Sequence, residues 1–389
     1  MSNITIFAQM VSILPRNLFQ KEVAEHKSDF ACKGFDSWTH LISMLFLQIA
    51  KCESLRDIAN GLRSSAGNLN HLGVTRAPSK SSISYGNTNR DWELFRDFYF
   101  ALFDHLSGTF MGNRPGKLRI KNKVYSIDST LVSLCMEVFD WAKYRQAKGA
   151  IKIHTVLDYD GLLPVFAVVT EGKTHDVIAA RGISFPSGSV LLMDRGYLDY
   201  GLFFDLDSSG VFFVTRTKTS TAYTVLESRE IPPNVKNITD DLTVKFSGQQ
   251  AAKKYGKPLR VVRFEDPDTG KTLEFITNNF VWAASTIAML YKQRWMIEIF
   301  FKQLKQHLKI KSFVGISENA VMIQIWTAMI AILLLKYLQL RSKYAWNMSN
   351  LVASIRINLL VKIGLWNWLD DPFAGKAEEG PPIMQFSLF

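Results

Sequence analysis

Two aspartates in this chain come at the ends of short apolar segments, where a buried strand would finish. Asp128 ends the segment VYSID, and Asp194 ends VLLMD just before a glycine-containing turn. The carboxyl ends of strands form the usual ligand crevice of an open α/β sheet, and two carboxylates there can hold a hard, oxygen-seeking cation. Taken alone, each aspartate is explained more simply as a turn or cap residue. The pair predicts a divalent metal site only if the fold brings the two strands together.

A third carboxylate, Glu298, lies in a segment with helical periodicity. At about 100° per residue, Tyr291, Arg294, Glu298 and Lys305 fall within an arc of roughly 60°. An adjacent apolar face would pack the helix on the sheet, and it comprises Leu290, Ile297, Phe301, Leu304 and Leu308. The alternative is an ordinary amphipathic helix with an Arg294–Glu298 pair. That alternative leaves Tyr291 and Lys305 on the same face unexplained.

Together the three carboxylates could hold two divalent ions that bridge a scissile phosphate. One ion would activate an attacking water or 3′-hydroxyl, and the other would stabilise the leaving oxygen. Metal is needed because three carboxylates would otherwise repel a phosphodiester. On the same helix face, Arg294 and Lys305 would contact phosphates, and Tyr291 would supply a hydrogen bond or a stacking surface.

The segments that position these residues predict an α/β sheet covered by helices. After a boundary at Arg114-Pro115-Gly116, we expect a catalytic domain whose first part is 117–215, with strands at 124–128, 151–158, 163–170, 190–194 and 211–215 and helices at 175–183 and 197–207. Polar, alternating segments predict a β-rich insertion at 216–273. The second part, 274–345, is expected to hold one long helix at 283–309 and an apolar helix at 318–340. The apolar run 321–335 is too short for a membrane span, which predicts a buried core helix and no membrane partner.

Residues 1–112 have helical rather than strand periodicity and predict an all-helical N-terminal domain. Within it, residues 54–92 could form a helix-turn-helix whose last helix starts at Pro78. Lys80, Ser81 and Arg90 could then reach DNA phosphates or bases. A solvated polar helix in a helical bundle explains the same residues equally well. The C-terminal segment, 346–389, is expected to end in a loosely ordered stretch, EEGPPIMQFSLF.

Composition favours a polyanionic partner. The formal net charge is +11 and the pI is about 9.4, which suits nucleic acid, although charge can also serve solubility alone. Cys32, Cys52 and Cys135 lack metal-ligand spacing, which predicts a reducing compartment and no structural zinc. The first residues lack both a basic region and a small-residue cleavage site, so a signal peptide is disfavoured and a cytoplasmic location is expected.

The chain resembles the DDE transposases of bacterial insertion sequences, specifically insertion-sequence family 4. That family carries Tyr-x2-Arg-x3-Glu-x6-Lys around its catalytic glutamate, and Tyr291, Arg294, Glu298 and Lys305 match every spacing. Its first aspartate lies in Asp-Ser-Thr, matched at 128–130, and its second in Asp-Arg-Gly-Tyr, matched at 194–197.

The resemblance implies an RNase H-like catalytic domain with a β-rich insertion, preceded by an all-helical N-terminal domain. It implies Asp128, Asp194 and Glu298 as catalytic metal ligands, two Mg²⁺ ions for which Mn²⁺ can substitute, and double-stranded DNA as both element end and target. A homodimer on paired ends, working in the bacterial cytoplasm at the nucleoid, is expected.

The resemblance also draws attention to five further side chains. Lys152, His154 and His175 lie in segments that recur in the family, and the histidines are expected to be structural rather than close to the metal. Some relatives excise through a DNA hairpin and hold an extruded base against aromatic side chains. Trp282 and Trp295 are candidates by proximity only, and we expect both to be buried packing residues.

Two other functions remain open. A DNA-binding regulator could use the helix-turn-helix and keep an inactive catalytic body, but the intact Asp128, Asp194 and Glu298 count against it. A structure-specific nuclease would share the metal site without joining DNA. The Tyr291, Arg294 and Lys305 stripe favours the transposase.

Overall fold

A computed structural model describes residues 3–65, 68–110, 120–134, 149–172 and 174–373. The predicted boundary at Arg114-Pro115-Gly116, Cys135 and the C-terminal stretch EEGPPIMQFSLF lie outside these residues. The chain divides into two compact units. One contains the residues up to Thr109 together with those from His307 onward, and the other runs from Phe110 to Gln306. The domain boundaries expected from the sequence remain predictions.

Within the first unit, the described N-terminal residues are mainly helical. The helices are α1 (Ile6–Val11), α2 (Arg16–Glu25), α3 (Ser37–Ala50), α4 (Leu55–Ser64), α5 (Lys80–Asn89) and α6 (Glu93–Phe110). Helix α4 begins at a capping box formed by Ser54 and Asp57. Helix α5 starts later than expected because Ser79, not Pro78, provides its N-cap: the Ser79 hydroxyl oxygen accepts from the Ser82 N–H at 3.0 Å.

The second unit is built on a nine-stranded sheet. Its strands are β1 (Val124–Leu134), β2 (Gly149–Asp158), β3 (Leu163–Glu171), β4 (Val190–Met193), β5 (Phe212–Arg216), β6 (Tyr223–Ser228), β7 (Ile238–Phe246), β8 (Leu259–Glu265) and β9 (Thr272–Thr277). Their order is β3-β2-β1-β4-β5-β9-β8-β7-β6. Strand β4 is parallel to both β1 and β5, and the other pairs are antiparallel. This mixed α/β sheet fits the RNase H-like fold that the resemblance implies.

The segment expected as a β-rich insertion, 216–273, contains β6, β7, β8 and the first two residues of β9, and these strands continue the same sheet. Strand β9 pairs with β5, so that Val214 lies opposite Thr277. The second unit also contains α7 (Asp176–Arg181), α8 (Tyr200–Ser208), α9 (Gln249–Lys254), α10 (Ala284–Gln293) and α11 (Trp295–His307).

The single helix expected at 283–309 is two helices, α10 and α11, that meet at Arg294. Here the Arg294 N–H bonds to the Tyr291 carbonyl at 3.0 Å, and the Ile297 N–H bonds to the Arg294 carbonyl at 3.2 Å. Bonds between residues three apart tighten the backbone locally and interrupt the regular α-helical ladder. The expectation of one continuous helix is therefore wrong at Arg294.

Side chains alternate between the two faces of the sheet. One face packs against α7 and α8 through a cluster that includes Ile127, Met193 and Phe203. The other face packs against α10 through Val124, Leu192 and Ile287 among others. The even-numbered positions of β1 and β4 therefore face α10.

The remaining helices of the first unit are α12 (Glu318–Arg341), α13 (Met348–Ile357) and α14 (Leu365–Asp370). By length and composition α12 could cross a membrane, but 94% of its most apolar window is buried inside the protein. Buried core helices of globular proteins can have the same length and apolar composition. Gln324 and Thr327, the polar residues in this apolar run, are fully buried, and the Gln324 amide donates to the carbonyls of Lys309 and Ser312.

Candidate active site

The pairing of β1 with β4 places Asp128 and Asp194 side by side. The two strands run parallel with Ile127 opposite Met193, so an aspartate comes next in each segment. Asp194 follows the end of β4 as expected, but the expectation that Asp128 ends its strand is wrong, because β1 stays paired with β2 as far as Leu134. Both aspartates occupy the face of the sheet that α10 covers, because Val124, Val190 and Leu192 at alternating positions pack there. The Asp194 side chain also caps the short 3₁₀ helix Arg195–Tyr197, accepting from the Gly196 N–H at 3.4 Å.

Arg294 links the third carboxylate to the first. Its Nη2 donates to Glu298 Oε1 at 2.6 Å, and its Nη1 lies 3.7 Å from Asp128 Oδ2. The guanidinium also lies 5.8 Å from the centre of the Tyr291 ring, and the Arg294 side chain is only 11% exposed. Carboxylates from β1 and α11 thus meet at one cation, beside the aspartate that follows β4.

Burial and neighbouring charges determine the electrostatics of this cluster. Burial raises the pKa of Asp128 to about 6, although the Ser129 N–H and Arg294 oppose the shift. The negative charges of Asp194 and Glu298 raise this pKa further. Carboxylate oxygens are the ligands that hard divalent cations prefer. The guanidinium of Arg294 offsets part of the negative charge of Asp128 and Glu298. The oxygen donors of Asp128, Asp194 and Glu298 suit a divalent metal, and its binding there stays a prediction.

A second group with metal-ligand chemistry lies in the first unit. One ligand atom from each of Glu22, His26 and Asp97 lies within 4.8 Å of the others. The ligand atoms of His26 and Asp97, however, already take part in hydrogen bonds and ion pairs. His26 Nε2 lies 2.9 Å from Asp97 Oδ2, and Arg96 donates to both Asp97 oxygens at 2.7 and 3.2 Å. This group forms an ion-pair network.

The remaining two residues of the predicted stripe, Tyr291 and Lys305, contact different strands. Tyr291 is partly buried and packs on Phe275, with 4.6 Å between ring centres. Lys305 Nζ donates to the Leu131 carbonyl of β1 at 2.8 Å, three residues beyond Asp128. Lys305 therefore contacts the strand that carries the first aspartate, whereas Tyr291 packs on β9.

Trp295 differs from its expected buried position. It is 58% exposed and, with Tyr291 and Arg294, lines a cavity of about 540 Å³. The interruption at Arg294 precedes it directly, and the apolar face of α11 is supplied by Ile297 and Phe301 instead. Trp282 is partly buried and packs on Phe212, with 5.3 Å between ring centres.

Asp176, the first residue of α7, is a polar neighbour that the sequence interpretation did not single out. Its Oδ1 accepts from the Ser129 hydroxyl at 2.7 Å. Lys152 Nζ lies 3.3 Å and His154 Nδ1 lies 3.5 Å from the same oxygen. His175, in contrast, is exposed, and its side chain does not cap α7. The sequence signal that could have identified Asp176 was the segment TEGKTHD. In this segment the aspartate, and not the histidine, contacts Ser129.

Two of the three N-terminal candidates for DNA contact are accessible. Lys80 and Ser81 lie exposed at the start of α5. Arg90 departs from the expectation because its side chain is only 8% exposed. Its Nη2 donates to the Phe35 carbonyl at 2.9 Å, and its guanidinium lies 5.5 Å from the centre of the Phe35 ring. Arg90 therefore has a packing role in this structure.

Comparison with known proteins identifies the region around this site. The family model described as "Transposase DDE domain" matches residues 120–334, and a model of a domain of unknown function matches residues 2–75. The chain is 32% identical to the transposase y4zB of Sinorhizobium fredii over 67% of its own length and 71% of that protein.

A second relative matches more of the chain. It is a transposase for insertion sequence element IS4SA from Synechocystis sp., 26% identical over 86% of this chain and 93% of its own length. Among solved structures, the piggyBac transposase synaptic complex with hairpin DNA aligns with 96% of this chain and 81% of its own chain. That alignment has 13% identity and a TM-score of 0.41.

Proposed function

The chain belongs to the transposase DDE domain family and is a DNA transposase of the bacterial insertion-sequence type, and on that premise we propose that Asp128, Asp194 and Glu298 are its catalytic residues. As a DDE transposase it catalyses DNA cleavage and strand transfer. The observation that carries the residue assignment is the contact of Arg294 with both Asp128 and Glu298, at 3.7 and 2.6 Å, beside Asp194.

DDE transposases generally use divalent metal ions. Asp128, Asp194 and Glu298 would hold two Mg²⁺ ions, for which Mn²⁺ could substitute, and these would activate the attacking oxygen and stabilise the leaving one. The chain's own contribution is to fix two carboxylates on adjacent interior strands of the sheet and the third on α11. Arg294 and Lys305 contact phosphate oxygens of the bound strand, and Tyr291 offers its hydroxyl or its ring.

The first unit binds the terminal inverted repeats of the element through α5. Support comes from Lys80 and Ser81, which are exposed at the N-terminus of this ten-residue helix. Backbone N–H groups at a helix N-terminus attract phosphate, and a lysine beside them adds a mobile positive charge. The net charge of +11 gives the whole chain an electrostatic preference for DNA.

The finer assignments follow from the same motifs. The Tyr-x2-Arg-x3-Glu-x6-Lys spacing from Tyr291 to Lys305 supports our proposal that the chain belongs to insertion-sequence family 4. The protein acts in the bacterial cytoplasm on nucleoid DNA, without a membrane partner, and pairs two element ends as a homodimer.

Replacement of Glu298 by Gln tests the catalytic assignment. The amide has nearly the shape of the carboxylate but lacks the charge that a metal ligand needs. We expect Glu298→Gln to bind an element end as tightly as the wild type, measured by fluorescence anisotropy, and to lose strand cleavage. Glu274→Gln, which alters a carboxylate paired with Arg263 elsewhere on the sheet, is the matched control and should still cut. Normal cleavage by Glu298→Gln would remove Glu298 from the site.

A further inference from the structure

A second layer of polar contacts lies behind the proposed metal site, on the opposite face of the sheet. Asp128 faces α10, whereas its neighbour Ser129 points the other way, toward α7, because side chains alternate along a strand. The neighbours agree with this assignment: Ile127 packs with Ala180 of α7. His154 of β2 lies directly opposite Ser129 in the strand pairing.

Ser129 makes one hydrogen bond on each face of the sheet. Its backbone N–H donates to Asp128 Oδ1 at 2.8 Å, and its hydroxyl donates to Asp176 Oδ1 at 2.7 Å. Asp176 is fixed by the start of α7 and by the Lys152 ammonium, 3.3 Å away. Lys152 is anchored in turn, because it donates to the Thr174 carbonyl at 2.8 Å.

His154 completes the layer as a neutral group. It is fully buried, and burial lowers its pKa to about 4 although Asp176 opposes the shift. Its Nε2 lies 2.9 Å from the Thr170 hydroxyl of β3. The charge that balances Asp176 in this layer therefore comes from Lys152.

We propose that Asp176 is a positioning residue for Asp128 and acts across the sheet through Ser129. It holds the Ser129 hydroxyl, which fixes the backbone that presents an N–H to Asp128 Oδ1, and so restricts the direction of the carboxylate. Because Asp176 lies on the other face, it orients a metal ligand without being one. Groups that orient metal ligands commonly change metal affinity by about 10- to 100-fold when they are removed. The inference rests on the proposed role of Asp128 in holding metal.

Binding of Mn²⁺ to the full-length protein without DNA, followed by electron paramagnetic resonance, tests this role separately from catalysis. We expect Asp176→Ala and Ser129→Ala each to weaken Mn²⁺ binding by about 10- to 100-fold. The double variant should be no weaker than Ser129→Ala alone, since both changes break one path. Asp176→Asn keeps an oxygen that can accept from Ser129 and should recover most of the affinity.

Asp199→Ala is the matched control. Asp199 also stands at a helix N-terminus and pairs with a cation, Arg181, at 2.6 Å, and it is 28% exposed against 31% for Asp176. This variant should bind Mn²⁺ like the wild type, and circular dichroism would report any loss of fold. If Asp176→Ala destabilises the fold, the Mn²⁺ affinity of Ser129→Ala, which removes only one hydroxyl, tests the proposed role instead.

Two results would overturn the inference in different ways. If Asp128→Asn loses Mn²⁺ while Asp176→Ala and Ser129→Ala bind it normally, the metal site stands and Asp176 has no part in it. If the wild type binds Mn²⁺ no more tightly than Asp128→Asn, the metal site itself fails and the role of Asp176 fails with it.

Discussion

Arg294 is the residue on which the geometry of the candidate site depends most. Its guanidinium reaches Glu298 at 2.6 Å through Nη2 and Asp128 at 3.7 Å through Nη1, so two different nitrogens of one planar group face the two carboxylates. Lysine would carry the same charge on a single nitrogen. Arg294 therefore orders the site and, on our proposal, also contacts a phosphate.

Replacement of Arg294 by Lys should slow strand cleavage by about 10- to 100-fold, as expected for loss of a charged hydrogen bond of about 1.5–3 kcal/mol. Single-turnover cleavage at saturating DNA measures this effect. Arg263→Lys is the control, because Arg263 pairs with Glu274 at 2.9 Å, remote from the carboxylates, and should leave the rate unchanged. Equal rates for both variants would show that the two-sided contact of Arg294 is irrelevant to chemistry.

Apolar segments that end in an acid, together with helical spacing, selected Asp128, Asp194 and Glu298, and their catalytic role stays a prediction. The strand-end argument holds for Asp194 but not for Asp128, which lies in the middle of β1. Asp176 was missed because its contact with Ser129 joins residues 47 positions apart and depends on which face of the strand each side chain occupies. Trp295 and Arg90 were misjudged for a related reason. Whether an aromatic or cationic side chain is buried depends on packing partners that no local pattern specifies.

Among the elements, apolar patterns located four of the five strands expected in 117–215 to within two residues at each end, whereas β1, expected to end at 128, continues to Leu134. The patterns could not reveal that β6 to β9 extend the same sheet, because the pairing of β9 with β5 joins Arg216 to Phe275, far apart in the chain. The interruption between α10 and α11 was also invisible, since the residues around Arg294 include no proline or glycine.

Helix α5 offers a prediction about packing at this scale. A Cβ on Gly86 would lie 2.7 Å from Phe35 Cε1 and 3.2 Å from His40 Cε1, closer than packed atoms allow. Gly86→Ala should therefore destabilise the protein by about 1–3 kcal/mol, measured by urea unfolding.

Gly108 of α6 provides the comparison for this experiment, because a Cβ there meets nothing within 4 Å. Gly108→Ala should be neutral or stabilise by up to about 1 kcal/mol, since alanine favours the helix. A Gly86→Ala variant as stable as Gly108→Ala would contradict the close packing of α5.

At the scale of the whole molecule, the net charge of +11 indicates a polyanionic partner but not how many copies bind it. Pairing of two element ends requires two sets of end contacts, so we predict a protein dimer on DNA. Light scattering of the purified end complex should give the mass of two chains with two duplexes. A mass of one chain with one duplex would rule out the dimer under those conditions.

We expect this chain to cut and join DNA with a metal site that contains Asp128. The most direct test is an assay with a labelled duplex carrying the element's own end, run with Mg²⁺, with Mn²⁺ and with chelator, for the wild type and Asp128→Asn. We predict metal-dependent nicking at the element end and a joined product for the wild type, and neither for the variant. Tight binding without cutting in either metal, or cutting and joining by Asp128→Asn at the wild-type rate, would contradict the claim.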